Sequence, residues 1–285
     1  KKIGQRVHNQ NLEKIMRIVK ILFFLFVSSN SILSSEYEIT VLATNTANFG
    51  GIGEWSFSAL LESEEEKILF DTGFDENTVI HNAKLLKKDL SVVEKVILSH
   101  FHGDHTGGLI KLRKTYMDIN PKAFSQVYVA EGFFEQRYDA EGNLRGFIGG
   151  FNEVDSFLSA THELGINFII INKPTEISKN LFLSGPVERV YEKVVVSPGF
   201  FIKKGEKLEA DLVQDDQSLG ILTKDGWYMM SGCGHAGMIN TAHKFNKIYD
   251  RDVVGAIGGF HLFRSSDEVI TKTGEALKEF GLMQL

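Results

Sequence analysis

After position 36, segments with the two-residue apolar repeat of strands alternate with segments that have the apolar spacing of helices. Residues 37–43 alternate apolar and polar side chains, which predicts a strand. Apolar runs at 57–61 and 67–70 flank an acidic turn, and this pattern is typical of a β-hairpin. Asp75 has the character of a helix N-cap, because apolar residues follow it at helical spacing. These apolar residues are Val79, Ile80, Ala83, Leu86 and Leu90.

The same alternation continues to position 130 and returns after position 165. A buried-type strand at 95–98 leads to a predicted helix over 106–117. Residues 131–165 are irregular and rich in Gly, Phe and Asn, so we expect an insertion that covers a site. Further strands are predicted at 126–130, 168–171, 181–184, 219–223, 227–231 and 253–257, and helices at 237–249 and 266–280. This order predicts an α/β protein with two packed sheets and outer helices, a four-layer αββα sandwich.

The N-terminus has the three parts of a secretory signal. Met16, Arg17 and Lys20 precede the apolar run 21–27, and small polar residues follow it. The run is shorter than the roughly 20 residues that cross a bilayer, so no stable membrane span is expected after cleavage. We therefore expect an upstream segment plus signal peptide over residues 1–35 and a mature domain over 36–285. The protein would then be exported, periplasmic or secreted; a buried N-terminal strand or helix is the alternative, and it implies a cytoplasmic protein.

The charge of the chain bears on the kind of partner that it binds. A net charge of −6 and an acidic pI near 5.9 argue against a nucleic-acid binder, which usually has a basic face. A small-molecule substrate is the expected partner, and the sequence favours no oligomeric state. Cys233 is the only cysteine, so the chain has no internal disulfide.

Four candidate metal ligands fall within six residues after the predicted strand 95–98. His100 and His102 are two apart, so on an extended backbone their imidazoles point the same way. Gly103 allows a sharp turn that returns Asp104 and His105 towards the same point. Imidazole nitrogens and carboxylate oxygens are the usual ligands of zinc, and they also suit manganese or ferrous iron. One or two divalent metal ions, with zinc favoured, are therefore the predicted cofactors.

Two further histidines follow glycine-rich strand ends. His235 comes after the strand 227–231, and His261 comes after the strand 253–257. The carboxyl ends of strands are where open α/β folds usually form their sites, so both histidines are candidate ligands. The other histidines lack this context and are expected in surface or structural roles: His8, His81, His162 and His243.

Several motifs together resemble those of the metallo-β-lactamase fold superfamily. The stretch 99–108, Ser-His-Phe-His-Gly-Asp-His-Thr-Gly-Gly, resembles its metal-binding motif, and Asp71-Thr-Gly resembles the end of an early strand beside the metal. The stretches 215–219, 231–237 and 258–262 are similar to small metal-dependent hydrolases of this superfamily, some of which are dihydropterin–ribofuranosylaminobenzene phosphate synthases. The resemblance covers about residue 36 to the last residue.

The resemblance implies an αββα sandwich with metal at the sheet edge. It implies that His100, His102 and His235 bind the first metal and that Asp104 and His105 bind the second. His261 stands where the superfamily usually has a bridging aspartate. In the family a further strand and a His-Cys-Thr-Gly segment follow the last helix. Since this chain stops at Leu285, the expectation is a sandwich that lacks its last strand and a second metal site that lacks a ligand.

Three functions remain open from the sequence. The favoured one is a hydrolase that uses metal-activated water on an ester, lactone or phosphoester, with Asp104 as the catalytic residue that orients this nucleophile or accepts its proton. The second is a transferase or synthase on a phosphorylated pterin or sugar, and the third is a metal-binding protein with little catalysis. Asp71, Asp216 and Cys233 are expected to support the ligands, although Cys233 also suits a nucleophile or a soft ligand.

The insertion leaves two further questions open. Its aromatic residues could line an apolar substrate pocket or belong to the core: Phe133, Phe134, Tyr138, Phe147, Phe151 and Phe157. Arg137, Arg145 and Arg189 could hold an anionic group or be solvated.

Overall fold

Two mixed sheets form the centre of the fold. The computed structural model describes residues 37–192, 199–263 and 265–281, which belong to one compact unit, Ser35–Leu285. The first sheet has the order β1-β2-β3-β4-β5-β7 and the second has the order β14-β13-β12-β9-β8. A small third sheet has the order β11-β10-β6. The strands are β1 (Glu38–Ala43), β2 (Ser58–Glu62), β3 (Lys67–Phe70), β4 (Lys95–Ile97), β5 (Gln126–Ala130), β6 (Arg137–Tyr138), β7 (Asn167–Ile171), β8 (Thr175–Ser178), β9 (Leu181–Leu183), β10 (Phe201–Lys204), β11 (Lys207–Ala210), β12 (Ser218–Leu222), β13 (Trp227–Ser231) and β14 (Val253–Gly258).

Helices cover the outer faces of both large sheets. They are α1 (Thr78–Leu85), α2 (Gly103–Thr106), α3 (Leu109–Tyr116), α4 (Val154–Glu163), α5 (Met238–Ile248) and α6 (Asp267–Glu279). Side chains of α1, α3 and α4 pack on the first sheet, while those of α5 and α6 pack on the second. The predicted αββα sandwich is confirmed.

Alternation along the strands accounts for the layers. On β3, Leu69 faces the helices, whereas Ile68 and Phe70 face the second sheet. On β13, Met229 faces α5, whereas Met230 faces the first sheet. Successive strand residues point to opposite faces, so one strand supplies apolar side chains to two layers. Strands that are buried on both faces therefore read as continuous apolar runs.

Several predicted boundaries differ from the structure. Asp75 is not the helix N-cap; that position is Asn77, and Asp75 instead accepts a hydrogen bond from the Asn77 amide in the preceding turn. The helix ends at Leu85, so Leu90 reaches the core from the following loop. The predicted helix over 106–117 is divided into α2 and α3 at Gly107, where an added Cβ would lie 2.0 Å from the Phe74 carbonyl oxygen.

The region predicted as an irregular insertion is partly regular. It contains β6 and the ten-residue helix α4, whose buried face includes Phe157. The third sheet was not predicted, because β10 and β11 are short and mostly exposed and carry no clear alternation of apolar residues. The segment from Met16 that resembles a signal peptide lies outside the described residues. Within the described ranges, none of the helices is long and apolar enough to cross a bilayer.

Candidate metal centre

The turn after β4 carries the histidine cluster and is fixed from the other sheet. Asp215, just before β12, accepts a hydrogen bond from the Phe101 amide at 2.8 Å. The amide of Gln217 donates to the Ser99 carbonyl oxygen at 2.9 Å. Both acceptor and donor are buried, and buried backbone groups need such partners. The loop before β12 therefore holds the backbone on both sides of His100.

Arg137 extends this support and does not bind an external anion. Its guanidinium donates to Asp215 Oδ1 at 2.6 Å and to Asp211 Oδ2 at 3.1 Å, and it lies 3.7 Å from the Phe101 ring centroid. All these side chains are buried. The expectation of a solvated or anion-binding arginine is wrong here, because two internal carboxylates already neutralise the charge.

Three histidines converge at the edge shared by the two sheets. His100 Nε2 and His102 Nδ1 are 2.8 Å apart, and the ligand atoms of His100, His102 and His235 all lie within 4.8 Å of one another. His235 reaches this point because the chain after β13 passes close to the first sheet. A Cβ on Gly232 would lie 2.0 Å from Ser99 Oγ, so only glycine fits that approach.

His105 is oriented by a buried carboxylate. Its Nδ1 lies 2.7 Å from Asp71 Oδ2, and Asp71 also accepts hydrogen bonds from the amide and hydroxyl of Ser99. Asp71 adopts a left-handed backbone with φ 53°, a strain that is typical of functional sites. A carboxylate on one ring nitrogen leaves the other nitrogen free to bind a metal. The supporting role of Asp71 stays a prediction.

Cys233 joins two further groups of candidate ligands. One group is His100, His105 and Cys233, and the other is Cys233, His235 and His261. In each group the ligand atoms lie within 4.8 Å of one another. Asp104 is in neither group; its Oδ2 lies 3.6 Å from His105 Nε2, at the wall of the cavity above the histidines.

The buried environment favours the neutral form of the His100 and His102 imidazoles. Burial lowers the pKa of His100 and of His102 well below the usual range, and nearby histidines lower it further. Burial alone would also lower the pKa of His105, but Cys233 and Asp71 outweigh it and raise that pKa well above the usual range. Burial raises the pKa of Asp216 to about 7. Neutral imidazole is the form that binds metals.

The donor set fits a divalent metal. His102 Nε2 is buried and has no hydrogen-bond partner among the described residues, so protein groups leave this imidazole incompletely satisfied. Clustered imidazole nitrogens with a nearby thiol and carboxylate are the ligands that zinc prefers. His100, His102 and His235 could hold one metal. Cys233 belongs to one group with His105 and to another with His261, and all three border the smaller of two adjoining cavities.

Two adjoining cavities open above the histidines. Their volumes are about 720 and 570 Å³, and both are bordered by Trp55, Asp104, Cys233, His261 and Phe263. The larger cavity is also lined by the aromatic rings of Phe74, Phe147 and Phe200 and by Arg145. Trp55, Phe200 and Phe263 lie on loops without regular periodicity, so no sequence pattern assigned them to the site.

The aromatic residues of the insertion divide between core and cavity. Phe133 and Phe157 are buried in the core under the helices, and Phe134 and Phe151 pack against that core. Phe147 lines the larger cavity, and Tyr138 lies under the ammonium of a lysine in the third sheet. The sequence could not separate them because core and pocket positions share the same apolar character.

Arg189 and three other histidines make contacts outside the histidine cluster at the sheet edge. Arg189 donates to the carbonyl oxygens of Val187, Leu212 and Val213 and so ties two loops together. His81 bonds the Gly50 carbonyl oxygen, His243 stacks on Tyr191, and His162 is exposed on α4. His8 lies outside the described residues.

The αββα layers and the histidine centre at the sheet edge define a class of proteins that bind divalent metals between two sheets. Residues 56–237 match the metallo-beta-lactamase superfamily, and the chain belongs to it. The superfamily consists generally of enzymes.

The chain is similar to two curated proteins and to a solved structure over most of its length. The chain is 28% identical over 242 residues to a 7,8-dihydropterin-6-methyl-4-(beta-D-ribofuranosyl)-aminobenzene-5'-phosphate synthase of Methanocaldococcus jannaschii, covering 81% of this chain and 80% of the synthase. An uncharacterized protein of the same archaeon is 31% identical over 87% of this chain and 89% of its own length. Among solved structures, Tm1679, a metal-dependent hydrolase of the beta-lactamase superfamily, is 30% identical with a TM-score of 0.67, covering 87% of this chain and 85% of that one.

Proposed function

We propose that the protein is a metal-dependent hydrolase that acts on a small ester, lactone or phosphoester. One observation carries the proposal: the ligand atoms of His100, His102 and His235 lie within 4.8 Å of one another at the floor of a cavity large enough for a small molecule. Zinc is the proposed metal because imidazoles dominate the donor set. The similarity to Tm1679 supports the hydrolase class.

The chain's own residues divide the work of hydrolysis. A divalent metal bound here would supply Lewis acidity and would lower the pKa of a water molecule far enough to give hydroxide at neutral pH. His100, His102 and His235 would hold that metal, and Asp71 orients the neighbouring His105. Asp104 stands at the cavity wall, where its carboxylate orients the attacking water and accepts its proton.

The cavity wall favours a substrate with an apolar body and one negative charge. Phe147 and Phe200 supply aromatic surface, and the Arg145 guanidinium lies 4.7 Å from the Phe200 ring centroid. The Phe200 ring is in turn 5.4 Å from the His102 ring. An anionic group held by Arg145 would therefore lie about one aromatic ring away from the metal-binding histidines.

A synthase that joins a phosphorylated aromatic compound to a second substrate is the alternative. The similarity to the archaeal synthase favours it, and so does the combination of aromatic walls with one arginine. The two functions differ in what they require. A hydrolase converts a single substrate with water, whereas the synthase needs two organic substrates together.

Metal analysis followed by turnover tests the proposal. Purified protein should contain near-stoichiometric zinc and should hydrolyse p-nitrophenyl phosphate diesters or simple lactones. His100→Ala and His102→Ala should each lose the metal and the turnover, because each removes one of three converging imidazoles. His162→Ala is the matched control, since His162 is exposed on α4 and should change neither quantity.

Each other outcome has a definite meaning. Unchanged metal content in both histidine variants would overturn the metal assignment. Full metal with turnover only when a phosphorylated aromatic compound and a pterin are supplied together would favour the synthase. Full metal without turnover under either condition would favour a metal-binding protein with little catalysis.

A further inference from the structure

Cys233 occupies the space between the two histidine groups of the site. Its Sγ is 3.1 Å from His105 Nε2, the ring nitrogen that Asp71 does not occupy. The same sulfur lies within 4.8 Å of ligand atoms of His100 on one side and of His235 and His261 on the other. No other cysteine exists in the chain. The thiol is therefore the one soft donor beside the histidines.

The backbone around Cys233 shapes this position. Gly232 lets the loop pass against Ser99 and Asp71, and Gly234 adopts a left-handed backbone with φ 67°. The chain therefore turns on both sides of Cys233 and directs its side chain to the cavity floor, where it borders both cavities. A small residue that served only to fill space would not need to face the imidazole nitrogens.

A second buried group near Cys233 is unsatisfied. Asp216 is buried, and its Oδ2 accepts a hydrogen bond from the Ala236 amide. Its Oδ1 is buried and has no hydrogen-bond partner within the described part of the chain. The Ala236 amide that it accepts from directly follows the candidate ligand His235. A buried carboxyl oxygen without a partner is costly unless a cation or a proton donor lies beside it.

We propose that Cys233 is a thiolate ligand of a second divalent metal, which it binds together with His105 and His261. The inference rests on the proposed metal centre but goes beyond it, because it assigns a sulfur ligand to a second position. Metal binding breaks the S–H bond, the electron pair of sulfur forms the metal bond, and the proton leaves to solvent. Nothing is oxidised or reduced in this step.

A thiolate ligand changes which metals the second position accepts. Soft sulfur donors favour zinc, cobalt and cadmium. They disfavour manganese and magnesium, because these metals prefer oxygen ligands. The first position, formed by three imidazoles, has no such preference for soft metals. The protein should therefore bind two equivalents of zinc or cobalt, while manganese should fill the second position poorly.

Spectroscopy of the metal-loaded protein tests the sulfur bond directly. X-ray absorption at the zinc edge should show one sulfur neighbour at about 2.3 Å. The cobalt-substituted protein should show thiolate-to-cobalt charge-transfer absorption in the near ultraviolet. Because the chain has one cysteine, either signal reports Cys233. Alkylation of Cys233 by iodoacetamide should slow at least tenfold when zinc is added to the metal-free protein.

Cys233→Ser should lose the charge-transfer band and one equivalent of metal while keeping the other. Cys233→Ala gives the same expectation without a hydroxyl, and circular dichroism shows whether each variant is folded. Ser231→Ala, which alters a nearby buried hydroxyl that bonds Ser218, is the control and should keep both equivalents.

The outcomes separate this inference from the proposed hydrolase. Zinc bound only by nitrogen and oxygen, with alkylation unaffected by metal, would overturn the thiolate ligand and leave the hydrolase standing. Failure of the wild-type protein to bind any metal would overturn both. The wild-type measurements decide the matter even if the cysteine variants fail to fold.

Discussion

Two buried carboxylates hold the histidines of this site in position. Asp71 binds one nitrogen of His105, and Asp215 binds the amide between His100 and His102. The sequence predicted the ligand types and the support from Asp71, since both belong to short motifs. It did not predict that Asp215 and Arg137 form an ion pair beneath the motif, because the two are 78 positions apart. Such contacts follow from tertiary packing and not from local pattern.

Asp71→Asn should weaken metal binding 10- to 100-fold, an order-of-magnitude expectation for loss of a carboxylate that orients a ligand. An amide has only one accepting oxygen, so it cannot serve both the Ser99 amide at Oδ1 and the Ser99 hydroxyl and His105 ring at Oδ2. Competition titration against a chromophoric chelator measures the affinity. Asp118→Asn, on an exposed aspartate, is the matched control. Unchanged affinity in folded Asp71→Asn protein would show that Asp71 does not orient a ligand.

Arg145→Ala should raise KM about tenfold or more for an anionic substrate, because a hydrogen bond to a charged group contributes about 1.5 to 3 kcal/mol. The effect on kcat should be small, since Arg145 lines the cavity but is not among the candidate ligands. Steady-state kinetics with an anionic substrate and a neutral one of similar shape makes the comparison. An equal rise in KM for both substrates would contradict recognition of the negative charge. Lys111→Ala, at a surface lysine of α3, is the control.

At the scale of elements, sequence periodicity predicted the long strands and helices but not the short ones. The strands β2, β3, β5 and β13 were located within one or two residues, because each combines an apolar run with a clear turn signal. The strands β8, β10 and β11 are four residues long and have only one fully buried residue between them, so the side-chain pattern carries little information there. β8 pairs with the following strand β9, and β10 pairs with β11, so both pairs are short hairpins; β10 also pairs with the distant β6.

The hairpin of β2 and β3 predicts a pH dependence of stability. Glu62 bonds Lys67 at 2.7 Å and Lys88 at 2.5 Å, which joins the hairpin to the end of α1. Burial by itself raises the pKa of Glu62, but the two lysines outweigh it and lower the pKa below the usual 4.5. A lowered folded-state pKa stabilises the protein above the unfolded pKa, and this contribution is lost as the pH falls through the folded pKa.

Glu62→Gln should therefore lower the free energy of unfolding at neutral pH by about 1 kcal/mol or less. The difference from wild type should shrink as the pH falls below 4.5, the usual pKa. Denaturant unfolding at neutral and acid pH measures both values. Glu64→Gln, in the same turn but exposed, should show no comparable change. A difference that stays constant with pH would mean that the charge of Glu62 is not involved.

At the scale of the whole molecule, the candidate metal ligands come from both large sheets. His100, His102 and His105 follow a strand of the first sheet, whereas Cys233, His235 and His261 follow strands of the second. The sequence predicted that ligands would follow strand ends, but only the closed sandwich shows that the two sets meet. Any metal held between them ties the halves of the fold together.

Metal should consequently stabilise the folded protein. A ligand that binds only the folded state contributes about 2.7 kcal/mol when its free concentration is roughly 100 times Kd. Thermal unfolding of the zinc-loaded and chelator-treated protein measures the shift in Tm. His235→Ala should lose much of this shift, and His162→Ala should retain it. An equal shift in both variants would indicate that the metal binds elsewhere.

The long sequence separation of the ligands also bears on how the protein folds. Cys233 contacts His105 across 128 positions, and Asp215 reaches the Phe101 amide across 114. Contacts between distant positions require closure of long loops and form slowly. During synthesis, all strands of the first sheet are complete before Asp215 and Cys233 have been added to the chain. Refolding should therefore show early collapse of each sheet with its helices and a later docking phase, and only that phase should accelerate when zinc is present.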